Sequence, residues 1–276
     1  MAVKLDEIGY WSEIKLDIVS KYAAAYSKIM NNQRSIKGHY YIDAFAGAGV
    51  HIAKGTKEPI PGSPLNALMV EPPFTHYFFI DLDGEKVQFL RELVADRKNV
   101  DVYQGDCNPI LLHKVLPKVQ YDEFKRALCL LDPYGLHLDW DVVCAAGQSR
   151  AMEIFLNFPV MDMNMNVLWG SPERVSKDQV ARMDAFWGDG TWKQAAYRKT
   201  KRLFDTIEEK TSNEAVAEAY RQRLKKVAGF QYVPPPIPMR NTQGAILYYL
   251  FFASPNKTGD KIVRDIFDKY RDRGMI

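Results

Sequence analysis

Tyr40-Tyr41-Ile42-Asp43-Ala44-Phe45-Ala46-Gly47-Ala48-Gly49 is an apolar run that ends in a glycine-rich turn. A short apolar segment closed by glycine reads as a buried strand, here His39 to Phe45. Glycines at such a turn let the backbone approach a ligand and adopt conformations that a Cβ forbids. In a dinucleotide fingerprint a third small residue follows, and a helix opens against a pyrophosphate. Here bulky Ile52 stands at that third position, and Ala53 to Pro64, rich in Pro, Gly and Lys, reads as a loop. A plain turn after a buried strand is the competing reading.

Outward from this stretch the chain alternates. Upstream, Trp11 to Met30 has helical spacing, with Trp11, Ile14, Ile18, Tyr22 and Ala25 on one face. Downstream, Ser63 and Pro64 open a helix that runs through Val70, with serine as cap and proline in the first turn. Strands are expected at His76 to Ile80, Val100 to Tyr103, Ala127 to Leu131 and Ala151 to Phe158. Helices fall between them at Gly84 to Asp96, Pro109 to Val119 and Asp139 to Gln148. Five strands separated in this way indicate a parallel sheet covered on both faces. Met161 to Lys226 carries no convincing strand and reads as a mainly helical insertion, with a helix at Glu214 to Val227. Phe230 to Val233 and Ala245 to Ala253 read as a terminal strand pair around a proline-rich turn, and Lys257 to Arg273 as a closing helix. The expectation is one α/β domain over residues 1–276, with the N-terminal helix at 11–30 and the insertion at about 161–227.

Composition narrows the class. Of 276 residues, 47% are hydrophobic and 26% charged, which fits a folded chain and excludes a disordered one. The N-terminus MAVKLDEIGYW has no apolar signal core, and the longest apolar run, Ala245 to Ala253, is far short of the ~20 residues of a spanning helix. A cytoplasmic location is expected. Cys107, Cys129 and Cys144 show no metal-like spacing and read as buried thiols, and the five histidines show none either. The net charge of +3 does not by itself imply nucleic acid, but the segment from Gly190 to Lys226 has ten Lys/Arg against five Asp/Glu. A phosphate-binding face with interleaved Trp192 and Tyr197 is one reading of it, and a solvated helix face is the other.

The chemistry-bearing residues sit at successive strand ends, where ligands of open α/β sheets bind. Asp81, at the end of Phe78-Phe79-Ile80-Asp81, suits the two hydroxyls of a ribose, because a charged acceptor makes strong hydrogen bonds. Asp83 reads as a helix cap. Asp106, in Tyr103-Gln104-Gly105-Asp106-Cys107, is placed either to accept from an adenine amino group or to cap a helix. Asp132-Pro133-Tyr134-Gly135 supplies an acid pointing into the same crevice, a proline that rigidifies the exit and a ring able to stack on a planar substrate. Their order along the chain is stronger evidence than any one of them.

In that order these motifs resemble those of class I S-adenosylmethionine-dependent methyltransferases. The resemblance implies a Rossmann-like sheet, mostly parallel with an antiparallel last strand. It implies Asp43, Phe45, Gly47 and Gly49 on the methionine side of the cofactor, Asp81 on the ribose and Asp106 by the adenine. Asp132, Pro133 and Tyr134 become the catalytic candidates. Over nearly the whole chain, the helix at Trp11 to Met30 with the segments IDAFAGAGVH (42–51), PIPGSPLNAL (59–68), LLDPYGLHLDW (130–140) and ILYYLFFASPNKTGDKI (246–262) resembles the three-Cys-motif partner family. Its members are regarded as methyltransferase-like companions of a three-cysteine, radical-type S-adenosylmethionine protein, whose cysteines give the family its name. Methyltransferases acting on base amines typically carry [D/N]-P-P-[Y/F] at the fourth strand. This chain is one proline short, which offsets the acid from the ring and leaves base N-methylation open.

Three functions are weighed. The first is a methyltransferase with a nucleic-acid substrate. The second is a non-catalytic or partner-dependent specificity or assembly subunit, favoured by the missing proline and the large insertion. The third, a nicotinamide-dependent oxidoreductase, is opposed by Ile52 and by the long gap from Gly47 to Asp81.

Overall fold

The computed structural model describes residues 4–201, 206–241 and 243–271. Its centre is a seven-stranded sheet of β1 (Gly38–Asp43), β2 (His76–Asp81), β3 (Val100–Gln104), β4 (Lys125–Leu131), β5 (Met152–Phe158), β6 (Ile237–Arg240) and β7 (Ile246–Ala253). The order across the sheet is β6-β7-β5-β4-β1-β2-β3. β1 to β5 run parallel, β7 is antiparallel to β5, and β6 is antiparallel to β7. The order in which strands are added reverses at β1, with β2 on one side and β4 on the other, so the strand ends open a crevice there.

Side-chain alternation divides the core between the two faces. Ile42, Cys129, Leu131, Ile154 and Leu156 point to one cluster, with the helix Trp140–Gln148 and the insertion over it. Tyr41, Leu128, Leu130 and Phe155 point to the other, beneath α1 (Tyr10–Asn32) and the helix Lys257–Arg271. All seven residues of β5 are buried, Glu153 and Asn157 among them.

The five parallel strands and the last strand lie where the sequence predicts them, within one or two residues at each end. Four other expectations are corrected. The strand preceding β7 is Ile237–Arg240, not Phe230 to Val233, where Tyr232 forms only a single bridge with Ser254. Pro238 lies within it and is accommodated because β6 is the sheet's edge. The segment after the glycine turn is not all loop: Val50–Ala53 pairs with Pro59–Pro61 and with Glu7–Ile8 in a small sheet. The insertion holds a hairpin, Tyr197–Lys201 against Thr206–Lys210. Its strands show no apolar alternation, and opposite charges face each other instead, Arg198 across from Glu209 and Lys199 from Glu208. The segment at Pro109 to Val119 is one α-turn followed by π and 3-10 turns. The closing helix runs from Lys257 to Arg271, and residues 272–273 of its predicted span lie outside the described residues. No helix among the described residues is long and apolar enough to cross a membrane.

One core feature ties the helical layer to the sheet. Glu153 in β5 is buried and paired with Tyr22 of α1 and with the Ser254 hydroxyl at 2.9 Å. Burial pushes its carboxyl up to about 7, against the pull of those two hydroxyls. A carboxyl whose folded value is raised stabilises the fold below its unfolded value, and that contribution is lost as pH rises through the folded one. Stability is therefore expected to fall between about pH 4.5 and 7 through this group, by roughly 3 kcal/mol. Glu153→Gln should flatten that part of a denaturant-midpoint profile measured against pH, and an unchanged slope would refute the assignment.

Candidate functional site at the strand ends

Each acid owes its place to the end of its strand. Asp43 ends β1 and is fully buried, its Oδ1 accepting from the Phe45 amide at 3.2 Å and its Oδ2 without a hydrogen-bond partner among the described residues. Burial pushes its carboxyl up to about 7, while Ser63 and the Phe45 amide pull it down and the charges of Asp132 and Asp81 push it further up. Gly47, at φ +61, turns its amide onto Asp81 Oδ2 at 2.7 Å. Asp81 Oδ1 accepts from the Asp83 amide at 2.9 Å. Each oxygen thus keeps one accepting position for a ligand. Asp83 caps the next helix through the amides of Glu85 and Lys86. Asp106 Oδ1 caps the turn after β3 through the Asn108 amide at 2.9 Å, leaving its other oxygen free of the cap.

These residues surround a cavity of about 660 Å³ whose wall includes Phe45, Gly47, Asp81, Asp106, Asp132 and Tyr134. The volume is that of a cofactor-sized site. Asp43, Gly49 and Pro133 do not form its wall: Asp43 lies beneath the turn, and Gly49 faces Leu90 and Leu65. Asp43 accordingly supports the turn from below. Apolar Ala44, Phe45, Leu82 and Leu136 alternate with the acids.

Several residues in the wall, or paired with it, carry no sequence motif. Lys15 of α1 is buried and forms an ion pair with Asp132. Burial lowers the affinity of its ammonium for a proton, but the neighbouring Asp132 carboxylate and Tyr248 outweigh burial and hold it above the usual lysine range. The only trace in the sequence is a lysine on the apolar face of a helix, four residues after Trp11. Asn108 is buried and accepts from the Asp139 amide at 2.8 Å, joining the turn after β3 to the loop after β4. Arg182 reaches in from the insertion helix Lys177–Trp187, with one guanidinium nitrogen 3.3 Å from His137 Nε2. Asp6 and Lys86, paired at 2.6 Å, close the side beside the N-terminal strand. His51 lines the cavity with a buried Nδ1 that has no partner among the described residues, and burial lowers its pKa, which favours the neutral ring. Cys107 is no nucleophile: burial and then the charge of Asp106 push its thiol up to about 12.

Away from the cavity, the basic stretch of the insertion does not form the stacking face that its sequence suggested. Trp192 and Tyr197 are buried in the core. Arg221 pairs with Glu218 at 2.7 Å and Arg223 with Asp189 at 3.1 Å, while Arg198 lies 3.5 Å from Glu209. No group of three or more His, Cys, Asp or Glu among the described residues could hold a metal ion.

No protein-family model matches the chain, and no curated protein does. Solved structures do. Protein LPL1258 from Legionella pneumophila str. Philadelphia 1 aligns with a TM-score of 0.53 at 11% identity, covering 94% of this chain and 92% of that one. The chain shares its fold. A methyltransferase domain of bacterial CtHen1 aligns at 0.41 and 11% identity, over 88% of this chain and all of that one. A SAM-dependent methyltransferase from Leishmania major aligns at 0.40 and 8% identity, over 87% and 72%. The architecture is a Rossmann-like sheet, mostly parallel with an antiparallel last strand, and a largely helical insertion.

Proposed function

We propose that the chain is an S-adenosylmethionine-dependent methyltransferase acting on nucleic acid. The observation that carries this is the convergence of the Gly47 turn, Asp81, Asp106, Asp132 and Tyr134 on one cavity at the ends of four adjacent strands. The residues suit the cofactor. Asp81 keeps accepting positions for a ribose diol, Asp106 has an oxygen for an adenine amine, and the acidic wall suits a cation. When bound, the cofactor supplies a methyl group on a positively charged sulfur. Rate then comes chiefly from holding the nucleophile in line. Asp132, fixed by Lys15, accepts a hydrogen bond from the incoming group and takes its proton. Tyr134 is 93% exposed and offers its face to an unstacked base.

Calorimetric titration with S-adenosylmethionine and S-adenosylhomocysteine tests the cofactor. Binding by the wild type that weakens at least a hundredfold in Asp81→Ala is expected, because two charge-assisted hydrogen bonds are lost. A wild type that binds neither compound refutes the reading. Transfer of a labelled methyl group to bulk RNA and DNA then tests the substrate class.

One observation favours a second reading, a partner-dependent specificity or assembly subunit of a radical-type three-Cys protein. Exposed Met161, Met165 and Trp169 lie on and after the helix Val160–Asn166, whose Asp162 carboxylate abuts Gly135, next to exposed Tyr134. Exposed apolar residues gathered in one segment suit a protein partner as well as a base. Methylation seen only in a co-purified complex would decide for it.

A further inference from the structure

A second cavity, of about 590 Å³, opens at the opposite end of the sheet, where β4 and β5 begin. Its wall includes Tyr26 of α1, Tyr121 and Phe124 in the turn before β4, Arg126 in β4, Arg150 just before β5, and Lys257 at the start of the last helix. No carboxylate among the described residues pairs with Arg126, Arg150 or Lys257, although the neighbouring Glu123 is held by Lys125. Glu153, the one acid of the wall, is engaged by Tyr22 and Ser254, and burial favours its neutral form. Three cations around one hollow repel one another unless an anion enters.

Other features suit a ligand larger than a simple ion. Tyr26, only 3% exposed, closes the inner wall of the cavity. Tyr121 and Phe124 are 43% and 45% exposed at the rim, and the Arg126 guanidinium lies 3.9 Å from the centre of the Tyr121 ring. Phe124 and Arg150 both have left-handed backbones, at φ 58 and 55, although neither is glycine. Such conformations cost energy and gather at binding sites.

We propose that this cavity binds a nucleoside phosphate, its phosphate on Arg126, Arg150 and Lys257 and its ring against the rim aromatics. Guanidinium groups form paired hydrogen bonds to phosphate oxygens, and bases of any sequence stack on exposed rings. The ligand is a free nucleotide or one unit of a polynucleotide. The site does not depend on the cofactor reading, since the two cavities share no residue.

The test is calorimetry with three probes: adenosine monophosphate, inorganic phosphate and a single-stranded RNA dodecamer. Three chains are compared: wild type, Arg150→Gln/Lys257→Gln and Asp81→Ala. Arg150 and Lys257 are exposed, and no hydrogen bond of either side chain is formed among the described residues, so the double variant should fold. Adenosine monophosphate is expected to bind wild type and Asp81→Ala alike, and the double variant at least tenfold more weakly. A dodecamer that binds at least tenfold more tightly than the mononucleotide identifies a polynucleotide track; equal affinity identifies a free nucleotide. Three results overturn the proposal. One is no saturable binding of either nucleotide probe. Another is binding lost in Asp81→Ala but kept in the double variant, which puts the nucleotide in the strand-end cavity. The third is inorganic phosphate binding as tightly as the mononucleotide, which reduces the hollow to a simple anion site. Loss of S-adenosylhomocysteine binding bears only on the other cavity.

Discussion

Asp132→Ala is expected to destabilise the protein by about 3 kcal/mol as well as to abolish methyl transfer. Lys15 and Asp132 expose 10% and 25% of their side chains. Removing one partner of a buried pair leaves the other charge without compensation, at a cost of about 3–5 kcal/mol. The low end applies here because Asp132 keeps some contact with solvent. Lys15→Met alone removes the buried ammonium and should cost less. The double variant Lys15→Met/Asp132→Leu should recover most of the stability without activity. Denaturant midpoints of the four chains form a double-mutant cycle, and additive single effects would show that the pair is not energetically coupled. Cofactor affinity separates the two roles of Asp132. It should be retained in the folded Asp132→Ala chain, because the proposed reading assigns the cofactor to Asp81 and Asp106, elsewhere in the wall.

Gly188→Ala should be similarly damaging, although it touches neither the cofactor nor the substrate in the proposed reading. Gly188 ends the helix Lys177–Trp187 in a left-handed conformation, φ 99, and a Cβ there would meet the Trp140 ring at 2.3 Å. Alanine brings the backbone strain of a left-handed residue, about 1–2 kcal/mol, and overpacking of about 1–3 kcal/mol. A loss of about 3 kcal/mol corresponds to a fall in Tm of roughly 6–12 °C for a chain of this size. Trp140 follows the Asp132 loop, and the Arg223 guanidinium lies 4.9 Å from the centre of its ring. Arg182 sits on the same short helix. Thermal unfolding and cofactor affinity should therefore both suffer, and a Tm within 2 °C of wild type would show that the Trp140 ring yields freely.

The fold was legible because its central strands are largely buried on both faces and three of them run into an aspartate. Ile42-Asp43, Ile80-Asp81 and Leu131-Asp132 mark the crevice in the sequence itself. What escaped lacks such contrast. The hairpin Tyr197–Lys201 with Thr206–Lys210 is held by facing charges, and β6 by an edge position that tolerates Pro238. Lys15 and Arg182 enter the site from helices, and whether a charged helix residue faces solvent or an acid depends on a partner more than a hundred residues away for Lys15. The basic stretch reads two ways because composition does not say which charges meet: Arg221 lies beside Glu218 and Arg223 beside Asp189.

The strand order also sets a timetable for synthesis. β1, made first, is flanked within about ninety residues by β2 and β4, so the centre of the sheet can form early. β5 waits longer. Its free edge is covered only by β7, and residues 159–245 must be made in between. At ordinary rates of about 5–20 residues per second, that is roughly 4–17 s during which a mostly apolar strand has an open edge. Unpaired strand edges of this kind recruit other chains. The early half of the insertion folds beside that edge, its Met163, Phe186 and Trp187 sharing a core cluster with Phe158. It therefore shields the face of β5 on the growing chain before the sheet is finished.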